Sequence, residues 1–467
     1  MIKTLKFSEL AQRFQLRHRD ELEFSALNTD SRTLKPGEVF VALVGERFDG
    51  HDYLAKAQSL GASGCIINDD RLDQVSNSIN LPLLIGDDTL KVYGLIAREN
   101  RRAFKCPVVA ITGSCGKTTV KEMISAILAE QGQVHKTEKN FNNQIGVPRT
   151  LLGIDTDDDF AVIEIGTSEK GEILKNVTWV EPDVALINNA NAVHLEGLGS
   201  LENIVQEKGD IIEGVCADGT VVLNFDDPYF SVWSARARGR RVLSFSLSNP
   251  QADLYASNIS LSNNGISCQI NSNIFDRSGK FSLTLALLGR HNLANALAAS
   301  TCALTVGATF ETIVAGLNQL RPVDGRMALI PLPQGSLIID DTYNGNPASM
   351  RMAIDALKEF PGRKILVMGE MAELGADAER AHGEIGEYAA LAEIDIVMTV
   401  GELTGDTVDQ FNAVAHRRGQ HQIAIFFDNQ TDLCESVADT MQNSTILIKG
   451  SRSAKMEKVV QFLTSRE

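Results

Sequence analysis

The chain has 467 residues, 43% of them hydrophobic and 22% charged, and a formal net charge of −16. Such a length suggests about three domains, each with interior enough for its own core, and the composition is that of an ordinary globular protein. A chain so acidic repels polyanions, which excludes nucleic acid as a main partner; an anionic substrate has to be met by local arginines and helix termini.

Seven cysteines are scattered along the chain. Their odd number and the absence of C-x-x-C spacing fit a reducing compartment and give no metal-cluster pattern. The first residues, MIKTLK, lack an apolar signal core, and no long uncharged apolar run follows. A cytoplasmic monomer without membrane insertion is expected.

In chain order, residues 39–43 read as a strand, 52–60 as a helix and 65–67 as a second strand. Residues 68–80 read as a loop with a helical turn. A helix over 91–104 then leads into the most informative stretch, VVAITGSCGKTTVKEM at 108–123. It runs apolar strand, glycine-bracketed turn, lysine, two threonines and amphipathic helix, with Val120, Met123, Ile124, Ile127 and Leu128 on one face. Gly132 sits where that helix would stop.

The turn over Thr112, Gly113, Ser114, Cys115, Gly116, Lys117, Thr118 and Thr119 therefore opens a helix N-terminus, where unpaired N–H groups and the helix dipole favour an anion. Gly113 and Gly116 let the backbone curl close to a phosphate. Lys117 can reach the β/γ oxygens, and the Thr118 hydroxyl suits Mg²⁺. The chain is expected to bind a nucleoside triphosphate. Cys115 reads as a tolerated small residue rather than a nucleophile. Ile111 stands where the strict P-loop pattern has its first glycine, so the loop has the shortened form T-G-x-x-G-K-T-T.

Continuous apolar runs at 108–111, 160–165, 184–187 and 221–223 alternate with helical stretches, which suggests a parallel sheet covered on both faces. Residues 240–288 change character, and the alternation over 281–287 predicts antiparallel strands. Residues 292–306, rich in alanine, read as a packed helix. A new unit begins near 321–326, with buried-type strands at 337–339, 365–368, 396–400, 423–427 and 445–448, a Rossmann-like pattern without G-x-G-x-x-G.

Glu164 puts a carboxylate inside a buried strand, where an unpaired charge is costly. It reads either as half of a structural ion pair or as a Mg²⁺ ligand beside Thr118. His194 follows the strand at 184–187 on a loop at the same sheet edge; packed residue and ligand both stay open. By spacing alone Lys208 is a solvated helix lysine.

The loop at 112–119 resembles that of the Mur ligase and folylpolyglutamate synthase superfamily. The resemblance to the Mur ligases extends over TDSR at 29–32, GERFDGH at 45–51, NFNNQIGVP at 140–148, EIG at 164–166, HLEG at 194–197, EKGD at 207–210 and NFDDP at 224–228. It continues with GRHNLANA at 289–296, GR at 325–326, DDTYNGNP at 340–347, MGEMAELG at 368–375 and KGSR at 449–452. It covers the whole chain in order. The DNPR motif typical of the family member that adds the third amino acid is absent.

The resemblance implies an α/β chain of three domains. These are a small α/β UDP-binding domain (1–86), a central P-loop ATPase-type domain with a mainly parallel sheet (87–318), and a C-terminal Rossmann-like domain (319–467). It also implies an ATP-dependent ligase that activates the carboxylate of UDP-MurNAc-tripeptide as an acyl phosphate for attack by D-Ala-D-Ala. Lys117 would cradle phosphates, Thr118 and Glu164 would hold one Mg²⁺, and His194 with a carbamylated Lys208 would serve a second. Asn143 would lie near the γ-phosphate and Asn292 and Asn295 near adenine. Arg326 and Asp341 would reach phosphates and ribose as the third domain closes. Asp30, Ser31, Arg32, Arg47, Phe48, Asp49 and His51 resemble the UDP site. Without the family, these last residues read as a capped turn and surface charge.

Overall fold

The computed structural model describes residues 1–465 apart from 47, 76, 77, 194, 264, 275, 321 and 322. Three main sheets follow one another along the chain. The first has the strand order Arg17–Arg19, Leu83–Gly86, Gly64–Asn68, Val39–Val41, Leu27–Asn28, parallel except at Arg17–Arg19. Strand alternation sends Ile66 to one face, with Phe7, Leu10 and Val92, and sends Cys65 and Ile67 to the other, with Leu54 and Ala57. The helix expected at 52–60 is divided into a 3₁₀ turn, Gly50–Tyr53, and the helix Leu54–Ser59. The turn starts early because Asp49 Oδ1 accepts the His51 N–H at 2.9 Å.

The helix Thr89–Ala103 begins at Asp88, whose side chain accepts the N–H groups of Leu90 and Lys91. It joins two cores: Val92, Tyr93 and Ile96 pack with the first sheet, Ala97 with the central one. Where it crosses the helix Glu172–Val180, Gly94 lies against the Trp179 indole, and a Cβ there would stand 2.1 Å from Cε2. Gly94→Ala therefore overpacks a rigid ring, and we expect a loss of about 1–3 kcal/mol of stability. A thermal melt within a degree of the wild type would contradict this packing.

The central sheet has nine strands: Val134–Lys136, Phe160–Glu164, Val108–Thr112, Val184–Ile187, Thr220–Asn224, Arg241–Ser246, Leu254–Ser262, Gly265–Ser272 and Gly279–Leu285. The expectation of an antiparallel segment from residue 240 needs correction. Arg241–Ser246 extends the parallel ladder beside Thr220–Asn224, and the antiparallel pairing begins only between Leu254–Ser262 and Gly265–Ser272. Strand Arg241–Ser246 is mostly buried, as a parallel strand should be, while Leu254–Ser262 alternates with one wet face. Helices Lys117–Ala129, Arg290–Thr305 and Phe310–Gln319 cover one face of the sheet; Gly146–Gly153, Glu172–Val180 and Leu201–Gly209 cover the other.

The third sheet orders Ala328–Pro331, Leu337–Asp341, Ser444–Lys449, Arg363–Gly369, Ile396–Val400 and Ile423–Phe427, all parallel except the first. The last strand in sequence thus inserts beside Leu337–Asp341. Helices Pro347–Lys358, Ala378–Leu391 and Gly405–Arg417 pack on one face, Gln430–Thr440 and Glu457–Thr464 on the other. Both large sheets present the carboxyl ends of their strands to a common cleft, the usual place for a ligand in open α/β sheets. No helix among the described residues is long and apolar enough to cross a membrane.

Candidate active site

The cleft encloses about 700 Å³ between the central and C-terminal sheets. Its floor is the turn after Val108–Thr112, which enters the helix Lys117–Ala129 through Gly116 at φ +82°. A side chain there is excluded twice: the backbone is left-handed, and a Cβ would lie 2.5 Å from Asn295 Oδ1. Lys117 folds back so that Nζ donates to Gly113 O at 2.6 Å. Burial lowers its pKa and the Arg326 charge adds to that, against the opposing pull of Glu164.

Glu164, at the end of Phe160–Glu164, is 2% exposed. Its N–H donates to Thr137 Oγ1 at 2.9 Å, and its Oε1 accepts from Asn142 Nδ2 at 2.7 Å. The other carboxylate oxygen, Oε2, is buried with no hydrogen-bond partner among the described residues. Among the described residues Glu164 is not half of an ion pair, so the second sequence reading, a cation ligand, keeps its physical motive. Asn142 was missed in the sequence because only its position beside Asn143 recommended it. Asn143 lines the cleft too, and its Oδ1 accepts the N–H groups of Ile145 and Gly146.

The opposite wall comes from the C-terminal sheet. Arg326 Nη2 donates to Thr118 Oγ1 at 3.1 Å, and its guanidinium lies 4.1 Å from the centre of the Tyr343 ring. Asp341 and Lys449 face each other on paired strands, with Nζ 2.5 Å from Oδ2. Burial raises the Asp341 pKa, with Lys449 and Arg326 acting in the other direction. Asn346 starts the helix Pro347–Lys358 and approaches the thiol of Cys115 at 3.7 Å. Burial raises the Cys115 pKa, which keeps it a thiol, as a tolerated small residue requires.

Asn292 and Asn295 also line this cleft, and both amides are tied into the protein. Asn292 Nδ2 donates to Leu288 O, Asn295 Nδ2 to Asn292 Oδ1, and Asn188 Nδ2 to Asn295 Oδ1. Beyond them lies a second cavity of about 630 Å³, which shares Cys115, Gly116, His291, Asn295, Met352 and Leu374 with the first. Ala294, Pro347, Ala348, Met352 and Leu374 give it an apolar wall. Burial, reinforced by Lys449, pushes the His291 pKa down to about 4, so that imidazole is neutral near pH 7.

Lys208 overturns the reading drawn from its spacing. It is 1% exposed, and burial with the Lys117 charge lowers its pKa to about 7. The preceding Glu207 is buried as well. Its carboxylate accepts the N–H groups of Gly171 and Ile173 at 2.6 and 2.8 Å, closing the start of the helix Glu172–Val180. That bond set holds the loop carrying Thr167 and Ser168 against the cleft. His194 lies outside the described residues.

Among the described residues, the first-domain set does not line this cleft. Arg47 lies outside the described residues. Arg32 donates through Nε and Nη2 to Asp30 at 2.9 and 2.7 Å, and that bond drives the Asp30 pKa down to about 2. Ser31 between them is buried, and Phe48 is 53% exposed. His51 is engaged at both ring nitrogens: Nε2 accepts the Asn68 N–H at 3.0 Å, which leaves Nδ1 to donate to Asp49 at 2.6 Å. Its ring orders the loop, and it has no free nitrogen to offer a ligand.

Three family models match in order: the Mur ligase family catalytic domain over 23–97, the Mur ligase middle domain over 111–303, and the Mur ligase glutamate ligase domain over 325–452. The UDP-N-acetylmuramoyl-tripeptide–D-alanyl-D-alanine ligase of Escherichia coli strain K12 is 41% identical over 446 residues, 95% of this chain and 94% of that protein. The chain belongs to the Mur ligase family. A Mur ligase of the same description from Bacillus subtilis strain 168 is 33% identical, with 93% of this chain and 92% of that protein aligned. Among solved Mur ligases, MurF from Acinetobacter baumannii superposes with a TM-score of 0.89 at 29% identity, covering 100% of both chains. MurF from Thermotoga maritima in complex with ADP gives 0.80 at 27% identity, over 94% of this chain and 97% of that one.

Proposed function

We propose that this Mur ligase joins D-alanyl-D-alanine to UDP-N-acetylmuramoyl-tripeptide at the expense of ATP, in cytoplasmic peptidoglycan precursor synthesis. The observation that carries the reading is the two-sided cleft. A phosphate loop with its lysine faces an arginine and a lysine–aspartate pair from another domain, and the chain matches ligases of that description along nearly its whole length. We divide the chain into a UDP-handle domain over 1–86, an ATP domain over 87–318 and a closing domain over 319–467.

ATP is the phosphoryl donor. Its phosphates lie on the turn from Thr112 to Thr119, with Lys117 turning from Gly113 O to their oxygens and Arg326 meeting them from the far wall. Asn143 stands at the γ end, Asp341 at the ribose, and the base takes the second cavity beside Asn292 and Asn295. The tripeptide carboxylate attacks the γ-phosphorus, forming a C–O–P bond as ADP leaves. The D-Ala-D-Ala amine then adds to the acyl carbon, and the tetrahedral intermediate collapses to an amide with loss of phosphate and the amine's proton. Asp30, Ser31, Arg32, Arg47, Phe48 and Asp49 hold the UDP handle, with His51 setting the loop.

The residues present fit Mg²⁺: Glu164 carries a buried oxygen without a partner, and the Thr118 hydroxyl lines the same cleft. Bound there, and at His194 with Lys208, Mg²⁺ would supply positive charge against the transferring phosphoryl group. Lys208 fits its role through its neutral amine, the form that adds to CO₂ to give a carbamate oxygen ligand.

The test is ADP release with UDP-MurNAc-tripeptide carrying lysine or diaminopimelate, each with D-Ala-D-Ala, with single amino acids, or with no acceptor. ADP release that requires the dipeptide is expected. Release driven by lysine or diaminopimelate alone would overturn the assignment. In CO₂-depleted buffer the rate should fall and recover with bicarbonate; an indifferent rate removes the carbamate.

A further inference from the structure

A second loop braces the phosphate loop. Ser114 N–H donates to Asn189 O at 3.0 Å. Cys115 N–H donates to Asn189 Oδ1 at 2.9 Å, while Asn189 Nδ2 donates back to Cys115 O at 3.1 Å. One side-chain amide thus pairs with both faces of one residue's backbone, as two bases pair. Asn188 Nδ2 adds a second donor to Cys115 O at 3.0 Å, and Asn191 N–H meets Ser114 Oγ at 2.9 Å. Every contact comes from the segment that follows the neighbouring strand Val184–Ile187.

These bonds have a consequence for the phosphate site. The N–H groups of Ser114 and Cys115 are committed inside the protein. The loop's free donors therefore begin at the helix start, where intrahelical acceptors are missing. Gly113 and Gly116 flank the clamped residues, and glycines leave a peptide free to rotate unless something stops it. Asn188 is 2% exposed and also donates to Asn295, which backs Gly116.

We propose that Asn189 is a positioning residue for the nucleotide: its amide fixes the Cys115 peptide and so aims the N–H groups from Gly116 onward at the phosphates. The proposal rests on the reading that ATP binds this loop. Asn189 acts through the loop, since both ends of its amide are engaged by Cys115.

Calorimetric titration of ADP into the full chain tests it, alongside KM values for ATP, for the UDP-linked tripeptide and for D-Ala-D-Ala, and thermal melts. In Asn189→Ala, which loses both bonds to Cys115 and the one accepted from Asn191 Nδ2 at 3.4 Å, ADP affinity and the KM for ATP should worsen about tenfold or more, with the other two KM values within twofold of wild type. Asn189→Gln keeps both the acceptor and the donor of the amide, displaced by one methylene, and should lose less, which also provides a readout if the alanine variant fails to fold. ADP affinity equal to wild type in both variants overturns the proposal. So does a parallel rise in all three KM values with a lowered melting temperature, the mark of a purely structural role. Failure of the wild type itself to bind ADP would instead sink the ATP reading.

Discussion

Replacing Lys117 by alanine is expected to lower turnover by at least ~10³-fold while leaving the fold intact. Among the described residues the side chain bonds only to loop carbonyls, Gly113 O at 2.6 Å and Ser114 O at 3.5 Å, so its removal opens no core. Its ammonium is held half-buried, with its pKa lowered chiefly by burial and, further, by Arg326. An anionic phosphate arriving there reverses that penalty, and the restored charge is then available where negative charge develops in the transition state. Trapping the acyl phosphate with hydroxylamine separates the two half-reactions: the variant should yield no hydroxamate, and its melting temperature should match wild type. Near-normal turnover would remove Lys117 from the chemistry and the ligase reading with it.

Glu164→Gln is the second large effect. The amide oxygen can still accept from Asn142 and the backbone N–H still reaches Thr137, so the strand end stays in place. What disappears is the charge on the buried oxygen that no described residue satisfies. Turnover should fall roughly 100-fold or more, and the Mg²⁺ concentration for half-maximal rate should rise. Stability of the metal-free variant should hold or increase, because an uncompensated buried charge has been removed. An unchanged Mg²⁺ dependence would return Glu164 to a structural role.

Local elements were the legible part of this chain. Strand, glycine turn and helix of the phosphate loop occupy adjacent residues, and each carries its own signal: an apolar run, a left-handed glycine and a 3.6-residue period. The buried parallel strands were equally plain, as runs with no polar face. Short edge strands such as Val134–Lys136 and Ala328–Pro331 gave no such pattern, since they are only partly buried and pair on one side. Arg241–Ser246 was misread because its basic flank hides a buried strand.

The candidate site divides the same way. The sequence by itself determined the phosphate loop, the three-part α/β order and the strand that carries Glu164, because periodicity and glycine geometry act over a few residues. The resemblance to the Mur ligases rested on the same sequence. Only the tertiary structure decided that Lys208 is buried rather than solvated, that Glu207 closes a distant helix, and that His51 is spent on its own loop. It alone placed Asn189 on Cys115, 74 residues away in the chain, and Arg326 on Thr118, 208 residues away. Lysine, asparagine and arginine have no periodic signature, so their roles are set by the partners that folding brings within 3 Å or so of them.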